Sequence, residues 1–352
     1  MTDAAADAPA PRADAELRVE RLVVRVLAIM LCGVVLYAAF VLYTGLDEVR
    51  TRFATFRFGA FAAACGLSLV NYLFRFIKWE LYLAALDIRG IPKLESLLTF
   101  LSGFVLTVSP GKVGEVFKSL VLYRTRGIAI ERTAPIVVAE RVTDLIGVIG
   151  MIALGSLAFD GGGVWALAGV MLVLALLVTV ASPTVSRTLL SVLPRLPGPL
   201  GRVAARIAPR LEVALSQVRV LLTPSRLVIP ALLSLVGWSL EGVGLWLVLR
   251  GFGESASLAL ASFTYATATL AGAIVPVPGG LGVTDKLIQE QLVTLGGVPT
   301  AVGTLAMVLT RFATLWFAVL VGFLALALLR LRAPRLSRRS AGGSTAPDDG
   351  DD

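Results

Sequence analysis

The chain alternates long runs of apolar residues with short polar or basic segments. A helix needs about 20 predominantly apolar residues to cross the hydrocarbon core of a bilayer. Six runs reach that length and predict transmembrane helices, at about residues 22–44, 57–82, 133–158, 163–182, 226–250 and 299–330. The first run is too long for a signal peptide and a second span follows it, so we expect it to remain as a span.

Two further apolar segments are interrupted by Pro-Gly turns. Residues 94–108 end at the sequence SPG, and a short helix is expected at 113–123. Residues 257–275 end at PVPGG, and a second short helix is expected at 282–295. Irregular backbone at membrane depth is costly unless protein or water satisfies its polar groups. We therefore predict two re-entrant helical hairpins, each entering and leaving on one side of the membrane.

The segments outside the membrane are polar or basic. Residues 1–20 and 333–352 are predicted to be disordered cytoplasmic tails because they contain few apolar side chains. The connector at about 184–225 contains several prolines and arginines, and a helix is expected from about 200 to 222. Its composition predicts an amphipathic helix on the membrane surface.

Composition and charge agree with a polytopic membrane protein. The chain is 57% hydrophobic and 16% charged, with a mean hydropathy of +0.84. Its net charge of +8 comes from basic residues between the apolar runs, which indicates a topology signal and not a nucleic-acid partner. With a cytoplasmic N-terminus, 25 of the 32 Lys and Arg residues fall on the cytoplasmic side and 5 on the outside. This distribution predicts cytoplasmic N- and C-termini.

The hairpins and their flanking spans form two triplets. The first covers about 57–158 and the second about 226–330, and the charge distribution predicts opposite orientations for them. Six pairs of residues match in order. At an offset of 168 residues they are Pro110 with Pro278, Gly111 with Gly279, and Gly114 with Gly282; at an offset of 170 they are Glu115 with Asp285, Gly127 with Gly297, and Arg141 with Arg311. Chance matching in a glycine-rich chain is the alternative.

The predicted fold is therefore an all-α polytopic membrane protein. We expect about six transmembrane helices plus two re-entrant hairpins arranged as an inverted repeat. In transporters with such repeats the binding site lies near the midplane, between discontinuous helices. The N-terminal amides that follow each Pro-Gly turn would attract an anion, and a lipid phosphate is the expected one.

Charged residues within the spans are the candidate site because they are costly to bury. The chain has no histidine, which excludes histidine metal ligands and histidine proton relays, so proton chemistry would use carboxylates. Arg141, between Glu140 and Asp144, is expected either to bind phosphate or to form a structural ion pair. Arg311 is its counterpart, with Asp285 and Glu241 as possible partners.

Several lysines and arginines near the predicted membrane surface leave two interpretations open. Arg75 and Lys78 share a helix face, and they are expected either to bind a headgroup or to extend to the membrane surface. Lys112 is expected to lie deep beside the first turn, whereas Lys118 is expected to face water. The predicted substrate-binding residues are Arg75, Lys78, Pro110, Gly111, Lys112, Gly114, Glu115, Glu140, Arg141, Asp144, Glu241, Pro278, Gly279, Gly280, Gly282, Asp285 and Arg311.

The motifs SPGKVGEVFKSLVLYRTRG, APIVVAERVTDLIG and PVPGGLGVTDKLIQEQL resemble the lysylphosphatidylglycerol synthase transmembrane-region family, over about residues 20–330. The resemblance implies a flippase-like membrane domain that moves phospholipids or polyprenyl-linked lipids, with the Pro-Gly and ERVTD positions in its site. It implies the inner (plasma) membrane of a bacterium. The last predicted span is followed by only a short tail, so we expect no aminoacyl-transfer activity.

The expected function is translocation of a phosphate-bearing lipid, with membrane lipids as partners. No catalytic residue, metal ligand or cofactor is predicted, and the chain contains no P-loop sequence. Two alternatives stay open: a non-catalytic membrane partner of a separate lipid-modifying enzyme or glycosyltransferase, and a membrane enzyme that uses carboxylates on a lipid-linked substrate. The sequence does not predict an oligomeric state.

Overall fold

The computed structural model describes residues 13–109, 115–157, 162–195, 197, 201–202, 205, 218–275 and 277–341. Within these ranges the chain is helical and contains no β-strand. The helices are α1 (Ala13–Thr44), α2 (Leu46–Ala54), α3 (Phe58–Ala85), α4 (Lys93–Ser102), α5 (Phe117–Arg126), α6 (Ile130–Ser156), α7 (Gly162–Ala181), α8 (Pro183–Val192), α9 (Pro224–Gly251), α10 (Leu258–Ile274), α11 (Val283–Thr294), α12 (Thr300–Arg311) and α13 (Phe317–Ala341).

Among the described residues, three helical segments are long and apolar enough to cross a membrane: Phe58–Ala85, Pro224–Gly251 and Thr300–Arg332. The count rises to five if α1 with α2, and α7 with α8, each form one bent span. Helix α6 is 27 residues long but carries Glu140, Arg141 and Asp144 in its middle. A helix occupies each of the six predicted span positions, while the number of actual crossings stays a prediction.

The first interrupted segment is a helix that tightens and then stops. Helix α4 continues into a 3-10 turn at Gly103–Leu106, and the described chain reaches Ser109. Residues 110–114 lie outside the described residues, and so do the predictions for Pro110, Gly111, Lys112 and Gly114. The chain is described again from Glu115. Helix α5 ends at Arg126 and is followed by the capping residue Gly127, whose φ of 66° is in the left-handed region. Two helices therefore flank the predicted turn, with the second beginning later than expected.

The second interrupted segment is a glycine-dependent reversal between α10 and α11. Gly279, Gly280 and Gly282 have φ values of 62°, 67° and 82°, which side-chain-bearing residues rarely adopt. A Cβ atom at Gly280 would also lie 2.5 Å from the Thr284 hydroxyl oxygen. The predicted break of the helix at PVPGG is thus confirmed from residue 277 onward, because the backbone here requires glycine.

Each interrupted segment packs against the last helix of the other triplet. Helix α4 and its 3-10 turn lie on α13, whereas α10 lies on α6. The first helices of the two triplets, α3 and α9, pack along each other. The two interruptions also meet, because a Cβ atom at Gly279 would lie 3.7 Å from the Cα of Val108. This reciprocal packing agrees with an inverted repeat, which itself stays a prediction.

The segments outside the two triplets are described in part. The predicted connector includes α8 and a 3-10 turn at Leu193–Arg195, while most of the helix expected at 200–222 lies outside the described residues. Helix α1 contacts the second triplet where the Trp316 indole N–H donates to the Tyr37 hydroxyl over 3.1 Å. A π-helical turn at Phe312–Trp316 joins α12 to α13 there. Of the two predicted disordered tails, residues 13–20 and 333–341 are helical, in α1 and α13, and the rest lies outside the described residues.

Close packing at Gly322 yields a stability prediction. A Cβ atom there would lie 2.5 Å from the Val105 amide nitrogen, in the rigid 3-10 turn that follows α4. We expect Gly322→Ala to lower the free energy of unfolding by about 1–3 kcal/mol, the usual cost of overpacking. Gly66→Ala is the control, because a Cβ atom there meets nothing within 4 Å. Helix propensity favours that change. Melting temperatures in detergent that move equally for both variants would contradict this packing.

Candidate functional site

A cavity of about 300 Å³ lies between the two triplets. Its walls come from α3, α6, α9, α10 and the α12–α13 junction, and from the ends of both interrupted segments. Thr107 and Ser109 line it from the first interruption, and Val277, Gly279 and Gly280 from the second. The cavity thus lies where both helices are broken, as expected for a site between discontinuous helices.

Arg141 is the centre of a ladder of ion pairs beside this cavity. Its guanidinium donates to Glu115 over 2.7 Å and lies 3.0 Å from Asp144. Each of these carboxylates has a second cation, because Arg75 pairs with Glu115 at 3.2 Å and Lys78 pairs with Asp144 at 2.5 Å. The Arg141 side chain keeps 27% of its surface exposed. Arg141 can therefore face a ligand while both carboxylates retain another partner.

Arg75 and Lys78 are buried, so the interpretation that they extend to the membrane surface is wrong. Arg75 lines the cavity and lies over the Phe104 ring, 4.9 Å from its centroid. Lys78 lies behind the cavity wall, where it donates to Asp144 and to the Ser234 hydroxyl. Burial favours pairing here because an unpaired charge in an apolar interior is costly.

Lys118 and Glu140 form a second buried pair that does not line the cavity. The Lys118 ammonium also lies 4.6 Å from the Trp79 ring centroid and 5.3 Å from that of Phe100. The expectation that Lys118 faces water is wrong, since the side chain is 2% exposed. The aromatic rings and the carboxylate together compensate for its lost hydration.

Arg311 occupies the corresponding place in the second triplet. Its Nε lies 2.7 Å from the Asp285 carboxylate, and an Nη donates to the Gly279 carbonyl oxygen over 2.5 Å. Arg141 and Glu115 match Arg311 and Asp285 at an offset of 170 in the sequence, and in each triplet the arginine pairs with the carboxylate. Both arginines line the same cavity. The weak sequence repeat therefore corresponds to two equivalent arginine–carboxylate pairs.

Contrary to the prediction, the amides at the start of α11 do not form an anion site. The Gly282 N–H donates to the Asp285 carboxylate over 2.7 Å, while the amides of Gly280 and Leu281 donate to carbonyls within the turn. Asp285 thus satisfies the positive end of the helix itself. In this half, the cationic group that lines the cavity is the Arg311 guanidinium and not the helix N-terminus.

Glu241 lines the cavity on α9 and accepts hydrogen bonds from α3. Ser68 donates to one carboxylate oxygen over 2.9 Å and Asn71 to the other over 2.7 Å. Trp238 and Tyr265, absent from the predicted site, line the cavity nearby with ring centroids 6.4 Å apart. Sequence reasoning missed these aromatic side chains because apolar spans contain many and nothing in the pattern marks those that face inward.

The structure brings seven of the predicted residues to the cavity wall. The seven are Arg75, Arg141, Asp144, Glu241, Gly279, Gly280 and Arg311. Glu115 and Asp285 lie directly behind it, each paired with a lining arginine. Lys78, Glu140, Pro278 and Gly282 do not line it, and four positions of the first turn are outside the described residues. The cavity wall therefore combines three arginines with two carboxylates.

Comparison with known proteins assigns the chain to a family. A family model described as "Lysylphosphatidylglycerol synthase TM region" matches residues 27–322. A UPF0104 membrane protein from Methanothermobacter thermautotrophicus is 29% identical over 126 residues, which is 36% of this chain and 37% of that protein. The chain thus spans just over a third of the length of this curated relative.

The two cavity arginines are expected to differ in their effect on stability. Arg141→Ala leaves Glu115 beside Arg75 and Asp144 beside Lys78, whereas Arg311→Ala removes the cation that pairs with buried Asp285. Breaking a buried pair costs about 3–5 kcal/mol. We expect a clearly lower melting temperature in detergent for Arg311→Ala and a small change for Arg141→Ala. Equal losses in the two variants would show that Arg141 is as structural as Arg311.

Proposed function

Since the chain belongs to the lysylphosphatidylglycerol synthase TM region family, we propose that it is a lipid transporter that moves a phosphate-bearing lipid between the two leaflets. The observation that supports this proposal best is the convergence of Arg141 and Arg311 on one cavity between the triplets. Arg75 joins them in the cavity wall. The headgroup phosphate would bind there, and the lipid would be a phospholipid or a polyprenyl-linked lipid.

Arginine chemistry fits a phosphate ligand. A guanidinium offers several N–H donors in a planar fork that matches phosphate oxygens. Arg141 is the best placed of the three because it is the most exposed and its carboxylates keep Arg75 and Lys78 as partners. Its buried Nε has no hydrogen-bond partner among the described residues. An arriving phosphate could thus take donors from Arg141 without stripping a carboxylate of every cation.

The size of the cavity favours a lipid whose tails stay in the bilayer. A volume of about 300 Å³ equals that of a cube about 7 Å on an edge. An acyl tail spans about 15 Å, half of a hydrocarbon core of about 30 Å. At the end of α10, Ala273 lines the cavity while the neighbouring Ile274 and Val275 are exposed apolar residues. The tails would leave the cavity beside this exposed end.

The reciprocal packing of the triplets suggests how the cavity changes sides. Helix α4 lies on α13 and α10 lies on α6, so movement of one triplet against the other would shift both interrupted segments together. Alternating access in repeat transporters is largely such rigid-body rocking around a fixed site. We propose that the protein acts without chemical conversion of the lipid, in a bacterial plasma membrane with both termini in the cytoplasm, where the basic segments favour that orientation.

Lipid translocation in proteoliposomes tests the proposal. The probes are a fluorescent phosphatidylethanolamine, a fluorescent phosphatidylglycerol and a polyprenyl-phosphate analogue, with exchange between leaflets as the readout. We expect Arg141→Ala to slow exchange by about tenfold or more, the effect of losing a hydrogen bond to a charged group. Arg89→Ala is the matched control because this arginine is largely exposed in a loop and does not line the cavity. Its exchange rate should equal that of the unchanged protein.

Three results would overturn the proposal. Folded protein that moves none of the lipids, even when reconstituted alone at high density, would argue for a partner of a separate lipid-modifying enzyme. A chemically altered lipid recovered from the vesicles would indicate an enzyme. Equal exchange by the unchanged protein and Arg141→Ala would remove the arginine from the transport path.

A further inference from the structure

Besides its three arginines, the cavity wall contains a carboxylate and aromatic side chains, which form its acidic side. Glu241 and Trp238 are three residues apart on α9 and therefore neighbours on one helix face, and both line the cavity. Tyr265 lies beside Trp238, with ring centroids 6.4 Å apart, and lines the cavity together with Glu241 and Arg311. A carboxylate next to aromatic rings is the combination that attracts an organic ammonium group, by charge and by cation–π contact.

The Glu241 carboxylate is held in place by neutral donors of α3. Ser68 and Asn71 each donate to a different carboxylate oxygen. These two bonds orient the carboxylate of a residue that lines the cavity. Asn71 and Arg75, one turn of about 6 Å apart on α3, both line the cavity. The acidic side thus lies about one helical turn from an arginine, a spacing suited to a short zwitterion.

The charges of the site are balanced before any ligand binds. Among the described residues in and directly behind the cavity wall, five cations face five carboxylates: Arg75, Lys78, Lys118, Arg141 and Arg311 against Glu115, Glu140, Asp144, Glu241 and Asp285. A purely anionic headgroup would change the net charge of this buried set of side chains. A zwitterionic headgroup would leave that net charge unchanged.

We propose that Glu241, with Trp238 and Tyr265, forms an ammonium subsite, and that the substrate class is zwitterionic phospholipids with an amine close to the phosphate. The phosphate contacts the arginines while the ammonium contacts the Glu241 carboxylate. The inference rests on the proposed transport function for the movement of the lipid, but the subsite itself requires only binding.

The test compares two probes that differ in one charge: phosphatidylethanolamine and N-acetyl-phosphatidylethanolamine, each with the same fluorescent acyl chain. The unchanged protein should move the free amine faster. Glu241→Gln should reduce this preference about tenfold or more, the effect of one charged contact, because it slows the free amine more than the acetylated lipid. Glu290→Gln is the control, because that carboxylate is exposed on α11 and does not line the cavity. It should keep the full preference.

A binding measurement separates this inference from the transport proposal. The two lipids are added to purified protein in detergent, and the rise in melting temperature is compared for the unchanged protein and Glu241→Gln. A larger rise with the free amine that disappears in Glu241→Gln supports the subsite even if no lipid moves in vesicles. Equal effects of both lipids on the unchanged protein, or equal slowing of both by Glu241→Gln, overturns it and assigns Glu241 a structural or ion-coupling role.

Discussion

The cost of burying charge in an apolar protein is the constraint on which the rest of this structure depends. Each cation beside the cavity lies within ion-pair distance of a carboxylate from another helix, so the ion pairs also fasten helices together. Glu115, which lies just before α5, joins α3 to α6 because it pairs with Arg75 on α3 and with Arg141 on α6. Burial therefore fixes which helices meet, because an unpaired charge would cost several kcal/mol.

The cost of burying charge also distinguishes Arg311 in the second triplet from Arg141 in the first. Arg311 is held by Asp285 and by the Gly279 carbonyl oxygen, so it fixes the glycine turn of the second interruption. Arg141 shares both of its carboxylates with other cations and keeps a larger exposed surface. One arginine thus mainly stabilises the backbone around the cavity, while the other is the more available to a ligand. The two arginines can differ in this way because a carboxylate that has one cation partner is already compensated for its burial. Since both carboxylates beside Arg141 have another cation, Arg141 keeps N–H donors for a ligand.

Much of the fold followed from the sequence. Apolar run length located the helices, and the glycines of PVPGG located a break that the backbone confirms at Gly279, Gly280 and Gly282. The repeat offset matched Arg141 with Arg311 and Glu115 with Asp285, and in the structure each arginine pairs with the carboxylate of its own triplet. Helix ends were less predictable: α5 begins at Phe117, four residues later than expected. Local signals set an interruption, whereas the neighbouring helices decide where regular hydrogen bonding resumes.

The sequence by itself determined that this is a helical membrane protein of its family with costly charges at defined positions in its spans, because hydropathy and charge are properties of residues in order. Tertiary structure alone decided which charges face the cavity. Lys118 and Lys78 lie behind its wall, while Trp238 and Tyr265 line it. Which charged side chains pair depends on distances between helices that are far apart in the chain. The apolar periodicity of one helix does not show which side chains a neighbouring helix places against it.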